Sequence, residues 1–165
     1  MAVPGTIHYS RIDSPVGPLL LAVSERGLMA LEFGRGDVAG WVESPEKTAP
    51  YVRQLEEYFA GRRRGFDLPL DLRGTDFQKR CWQELLKIPH GETRSYAEIA
   101  RAIGNPAAVR AVGLANGKNP IAIIVPCHRV IGSDGSLTGY GGGLDVKRQL
   151  LELEGALSGS LTAPG

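Results

Sequence analysis

Two thiols, Cys81 and Cys127, are the strongest nucleophiles in this 165-residue chain, and only Cys127 has neighbours suited to chemistry. It stands in Pro126-Cys127-His128-Arg129, at the end of the apolar run Ile121–Val125. An ordinary cysteine is only a few per cent thiolate at neutral pH, so a nucleophilic one needs a base or a positive field close by. His128 and Arg129 are the immediate candidates. On a regular strand, adjacent side chains point to opposite faces, so His128 can act on the sulfur only if the chain bends or a water relays the proton. A buried cysteine beside a structural histidine is the competing reading, and spacing alone leaves both open. Cys81 reads differently. Phe77, Cys81, Leu85 and Ile88 follow one another at spacings of 4, 4 and 3, which places Cys81 on the apolar face of a helix as a small hydrophobe.

The rest of the inventory excludes several classes. Two cysteines are too few for a disulfide framework in a chain this size, and no CxxC or HxxxH spacing suggests zinc. With 42% hydrophobic and 22% charged residues the composition is that of a globular protein. No apolar run approaches a membrane span, and the opening residues lack the layout of a signal peptide, so a cytoplasmic protein without membrane contact is expected. The net charge of +1 conceals an asymmetry. Residues 1–72 carry 8 Lys+Arg against 10 Asp+Glu, while residues 73–165 carry 11 against 8, which makes the second segment the better candidate for meeting phosphates.

The elements that must position Cys127 follow from the pattern around it. Upstream, Ser95 and Glu98 form a capping box before the apolar stripe Tyr96, Ile99, Ala100 and Ile103. Gly104 can end that helix in a left-handed conformation, Asn105 can cap a second, and Pro106 fits its first turn. Two short helices joined by Gly-Asn-Pro read as a helix-turn-helix. The second, Pro106 to about Asn116, has Arg110 as its only polar side chain between Ala107 and Ala115. Reading a base sequence takes several polar side chains, so this helix suits close approach to DNA without sequence preference. Equally, it could be Ala-rich because it packs inside, with Arg110 as an exposed charge. Downstream, Val146, Leu150 and Leu153 supply the core face of an amphipathic helix on which Glu154 is an ordinary carboxylate.

The first third reads as antiparallel strands at Thr6–Ile12, Leu19–Val23 and Leu28–Phe33, separated by the turn-rich segments SPVGP and SERG. A helix from Tyr51 to Phe59 and a strand near Phe66–Leu70 follow, and DLRGTD looks like a joint. The fold class expected is α+β in two domains: a small α/β amino-terminal domain, 1–72, and a mainly helical carboxy-terminal domain, 73–165.

The sequence PCHRVIG, preceded by RAVGLANGKNP and followed by GYGGG and LELEG, resembles the O6-alkylguanine-DNA alkyltransferases. The resemblance runs from about Phe77 to Gly155, and the RAVG motif begins 17 residues before the cysteine; the amino-terminal third is similar only in layout. It implies a ribonuclease-H-like first domain, and a second domain whose helix-turn-helix enters the minor groove and flips a guanine out. Cys127 falls on the alkyl acceptor, His128 on the base that acts through a water, and Glu154 on the carboxylate that orients the histidine. Asn119 matches the asparagine that holds the active-site turn. Tyr96 matches the tyrosine that supports the flipped nucleotide and protonates the leaving guanine, and Arg110 the arginine that fills the vacated space. Ala97, Asn105, Gln78 and Ser133 match DNA-contacting positions, while Val130, Tyr140 and Gly141 match the base pocket. Some relatives carry serine where this chain has Gly141; the backbone N–H is kept, and pocket width is left open.

The resemblance further implies a suicide transfer from O6-alkylguanine, and from O4-alkylthymine, to Cys127 in double-stranded DNA. The expected protein is a monomer that could assemble cooperatively on DNA. No cofactor is expected, since GYGGG lacks the dinucleotide fingerprint, and no metal, since the zinc-binding cysteines of some relatives are absent. Two rival functions fit the residues less well. A non-repairing alkyltransferase-like binder replaces the reactive cysteine, which is present here. A Cys-His hydrolase usually draws its histidine from a distant segment and has no use for the helix pair.

Overall fold

The computed structural model describes residues 5–34 and 36–157. It divides into two units: the first runs to Arg73 and takes in Pro120–Ala122, and the second comprises Gly74–Asn119 and the chain from Ile123 onward.

In the first unit, β1 (His8–Ile12), β2 (Leu19–Val23) and β3 (Leu28–Phe33) pair antiparallel in sequence order. Every residue of β2 is buried, as its unbroken apolar run requires of a central strand. A two-residue strand, β4 (Val42–Glu43), adds parallel to β1 and completes the order β3-β2-β1-β4. Helix α1 (Pro45–Phe59) starts six residues before the periodic pattern suggests. Ser44 caps it by accepting the Lys47 N–H, and Pro45 occupies the first turn. Pro50 masks this start in the sequence. Its missing N–H removes one helical bond, which burial of Tyr51, Leu55 and Tyr58 outweighs. The strand expected near Phe66–Leu70 is not formed. Only Leu70 bridges to Leu28, because Pro69 has no N–H to extend a ladder and the Asp67 carboxylate is engaged by the buried Gln54 amide. Gly27, at φ +147°, lets the Pro69 carbonyl approach to where a Cβ would lie 2.4 Å away. Beyond Leu70, Pro120 accepts from Leu31 N–H and Ala122 N–H returns to Leu31, so this short segment adds to the edge of β3.

In the second unit, α2 (Asp76–Leu85) opens with a reciprocal capping box between Thr75 and Gln78. Cys81, Trp82, Leu85 and Ile88 are buried while Phe77 is half-buried, and the Trp82 indole N–H donates to Ala115 O at 2.9 Å. After β5 (Arg94–Ser95), α3 (Tyr96–Ala102) starts with the Ser95–Glu98 box, both arms formed. It ends on Gly104 at φ +78°, with Gly104 N–H bonded to Arg101 O and Asn105 N–H to Ala100 O.

That closure corrects two expectations. Asn105 does not cap the next helix: its N–H closes the end of α3, its carbonyl accepts from Ala108 N–H in an intervening turn, and Ala108 is the residue that precedes the helix. Pro106 and Ala107 form a turn, and α4 (Val109–Gly117) begins three residues later than Pro106 behind Ala108, with no side-chain cap. Its Val112, Ala115 and Asn116 are buried against α2 and α3, whereas Arg110, Ala111 and Leu114 face outward.

The Ile121–Val125 run is likewise not a strand. Only Ile121 pairs; the chain then turns through Ile123 at φ +71°, a left-handed conformation costly for a β-branched residue. A 3-10 turn, Cys127–Arg129, leads into β6 (Val130–Ile131), which runs parallel to β5. Helix α5 (Leu144–Leu153) buries Lys147, Leu150 and Leu151, with Val146 half-buried and Leu153 exposed. The expected core face is displaced because Lys147 can be buried with its ammonium satisfied by carbonyl groups.

Candidate active site

The bend at Ile123 and the 3-10 turn remove the strand geometry that would have separated Cys127 from His128. Two asparagines near the end of α4 hold the turn. Asn119 Nδ2 donates to Val125 O at 2.8 Å and Asn116 Nδ2 to Cys127 O at 3.3 Å. The Cys127 N–H closes onto Val125 O at 2.8 Å. Burial pushes the Cys127 thiol above its ordinary pKa, which outweighs the opposing pull of the Asn119 side chain, the Lys147 charge and the Tyr140 hydroxyl. The resting group is therefore a thiol surrounded by groups that favour the thiolate.

His128 has no exposed surface, and its Nε2 lies 2.8 Å from Glu154 Oε2. Glu154, at the end of α5, also accepts from Arg129 Nε at 2.8 Å and from a terminal guanidinium nitrogen at 2.9 Å. Arg129 is completed by Ile88 O at 2.6 Å. Burial alone would raise the Glu154 carboxyl, but hydrogen bonds and charge from His128 and Arg129 hold it far below the usual carboxylate range. Burial pushes His128 below its ordinary value, and the pull of Glu154 does not reverse this. A neutral imidazole whose Nε2–H donates to a carboxylate carries its lone pair on Nδ1. Among the described residues, Nδ1 has no protein partner. The turn thus presents a proton acceptor next in sequence to a buried thiol, with a counter-charge already behind it.

Lys147 is the feature the sequence reading missed. Its fully buried ammonium donates to Val130 O at 2.7 Å and Thr138 O at 3.1 Å. Burial lowers its pKa to about 8, against the raising effect of Cys127. The Thr138 hydroxyl in turn shares a 2.7 Å hydrogen bond with Tyr96 OH. The same lysine therefore charges the surroundings of the thiol and ties the chain at Thr138, which holds Tyr96. The sequence offers Arg129 only as a neighbour of the cysteine, yet its geometry makes it the second partner of Glu154. A lysine one turn before Leu151 was the available signal for the first; nothing local could have revealed the second.

The structure gathers Cys127, His128, Glu154 and Asn119 about the 3-10 turn. Buried Val130 follows directly, and Tyr140 joins through its interaction with the thiol. Tyr96 connects through Thr138. Gly141 is exposed, Ala97 is half-buried on α3, and Arg110, Asn105 and Ser133 are exposed. Gln78 sits in the first turn of α2, its side-chain oxygen accepting from Thr75 N–H at 2.9 Å. Cys81 is buried, its thiol pushed up by burial. Among the described residues no group of three His, Cys, Asp or Glu side chains could hold a metal, and no helix is long and apolar enough to cross a membrane.

Residues 76–156 match the family described as 6-O-methylguanine DNA methyltransferase, DNA binding domain, and residues 7–72 match its ribonuclease-like domain. The methylated-DNA–protein-cysteine methyltransferase of Methanosarcina barkeri is 56% identical over 153 residues, covering 90% of this chain and 97% of the relative. That of Mycobacterium tuberculosis is 59% identical over 152 residues, covering 90% and 92%. The crystal structure of Mycobacterium tuberculosis OGT in complex with DNA superposes with a TM-score of 0.86 at 59% identity, covering 90% of this chain and 93% of that one. The chain belongs to the methylated-DNA–protein-cysteine methyltransferase family, with a ribonuclease-like first domain and a DNA-binding second domain.

Proposed function

We propose that the protein moves the alkyl group of O6-alkylguanine, and of O4-alkylthymine, from duplex DNA to Cys127, once per molecule, after extruding the damaged base. The observation that carries this reading is the buried 3-10 turn in which His128, next in sequence to Cys127, commits Nε2 to Glu154 and leaves Nδ1 without a protein partner. The thiol proton passes through a water to Nδ1, and the imidazolium is balanced by Glu154. The sulfur attacks the alkyl carbon; one C–S bond forms and the C–O bond to the base breaks. Tyr96 gives its phenolic proton to the departing guanine and recovers one from the relay, so that the thiol proton ends on the base. Asn119 keeps the turn in place, and Val130, Tyr140 and the Gly141 backbone wall the base pocket.

Extrusion falls to α4, inserted in the minor groove, where Arg110 fills the space left by the base. With no further polar side chain between Ala107 and Ala115, the helix has little with which to read sequence. Ala97, Asn105, Gln78 and Ser133 contact the DNA around it. The protein acts as a cytoplasmic monomer and can assemble cooperatively on DNA. Single use follows from the product, since a thioether, unlike a thioester, has no easy hydrolytic route back to the thiol.

A labelled-methyl assay tests the reading. Label on Cys127 supports transfer, label retained on DNA would mean binding alone, and label in solution would mean hydrolysis. With methylated duplex in large excess, the label should plateau at one methyl per molecule. Continued removal would mean a true catalytic cycle.

A further inference from the structure

Helix α4 has two unlike faces. Val112, Ala115 and Asn116 are buried, whereas Arg110, Ala111, Leu114, Gly117 and Lys118 are all exposed. Arg110 and Leu114 are four residues apart and so lie one above the other. Leu114 is 65% exposed, the highest value among the exposed large hydrophobic residues described. It packs no core and caps no helix end, and α4 carries no acidic side chain. The outer face is therefore an apolar knob flanked by small residues, with a cation at each end.

We infer that Leu114 is a DNA-contacting residue, packing against the deoxyribose wall of the groove into which Arg110 reaches. This rests on the proposed function and deepens it. The chemistry fits one occupant: duplex DNA offers phosphates along the groove rims, complementary to Lys118, a base stack that Arg110 can enter, and carbon-rich sugar edges between them. A protein surface could also bury a leucine, but α4 lies within the segment matching the DNA-binding domain, and a relative of 59% identity has been crystallised with DNA. Polar and apolar contacts on one helix face have separable signatures. Phosphate contacts release counterions and set the slope of log K against log salt, whereas a leucine against a sugar releases none.

The test is fluorescence anisotropy of a labelled undamaged duplex, titrated with the full chain at several salt concentrations. Leu114→Ala should weaken binding roughly tenfold, about the effect of losing a buried leucine's apolar contact, with the salt slope of the parent retained. Leu114→Met, of similar volume, should recover most of the affinity. Lys118→Ala should instead flatten the slope by about 0.9, one phosphate's worth. In single-turnover transfer, Leu114→Ala should slow reaction with alkylated duplex far more than reaction with free alkylguanine base. Affinity within twofold of the parent would overturn the assignment of Leu114 alone. So would equal losses on duplex and free base, since these would place the residue in support of the pocket. A parent chain that failed to bind duplex while folded would overturn the function proposed above, and this inference with it.

Discussion

Cys81 and Cys127 are both buried, both on short helical segments, and both pushed up in pKa by burial. Their surroundings differ. Cys81 lies on the apolar face of α2, where the charge of Arg80 is the only influence opposing burial. Around Cys127, an asparagine, a tyrosine hydroxyl and a buried ammonium all oppose it. Burial is therefore not what separates the thiol on an apolar helix face from the one proposed as nucleophile. What separates them is whether the neighbouring groups stabilise the anion that appears when the proton leaves.

The sharpest test of that contrast is to exchange sulfur for oxygen. Cys127→Ser should abolish transfer while leaving DNA binding, measured by label on the protein and by duplex anisotropy. If label still reached residue 127 at the parent rate, the nucleophile would be misassigned. Next in size is Glu154→Gln. Losing the carboxylate should slow transfer roughly 10²–10⁴-fold, the range for general acid–base catalysis, and raise the pH at which Cys127 titrates. It also strands the Arg129 guanidinium, which should cost about 3–5 kcal/mol in denaturant unfolding. Because the folded Glu154 carboxyl is depressed, its contribution to stability is present above about pH 4.3. It is lost as pH falls toward the folded value, and the variant should lose that acid dependence.

Lys147→Met should act more gently, slowing transfer at neutral pH roughly tenfold, the equivalent of about one pKa unit, and moving the thiol titration upward. In the parent, the favourable field should fade as pH rises through about 8, where Lys147 loses its proton. If the titration did not move in the variant, Lys147 would be only a tether for Val130 and Thr138. His128 gives a complementary expectation. A base whose pKa is lowered by burial stays neutral below the ordinary histidine value near about 6.5, so transfer should persist in mild acid and fail only as pH falls through that lower value. The smallest effect belongs to Cys81→Ala: about 1 kcal/mol of stability for a lost buried sulfur, with transfer at the parent rate.

What could be read from the sequence was what is local. The Ser95–Glu98 box, the left-handed Gly104 and the helical burial of Cys81 rest on residues within one or two turns of each other. The three main strands stand where alternation and turn residues place them, with β1 beginning at His8 rather than Thr6. Features set by distant partners were not legible. Lys147 is inside because two carbonyls, 17 and 9 residues away, accept its protons. Arg129 meets Glu154 across 25 residues. The start of α4 lies beyond Pro106 because a turn from Asn105 to Ala108 intervenes between the two helices, which separate readings of each helix end do not register. The His128–Glu154 pair came from family resemblance; spacing alone would have left Glu154 an ordinary surface carboxylate.

Ile123 shows how this site should respond to heat. Burial favours a large apolar side chain there, while its left-handed backbone, worth about 1–3 kcal/mol of strain, favours glycine. Tight packing holds the conflict in check, four residues before Cys127. When packing loosens on warming, the backbone here has a downhill route to an ordinary conformation, and the Cys127 turn would be carried with it. Heat inactivation should therefore set in below the melting temperature of the fold and reverse on cooling, with transfer lost while the far-ultraviolet helix signal persists.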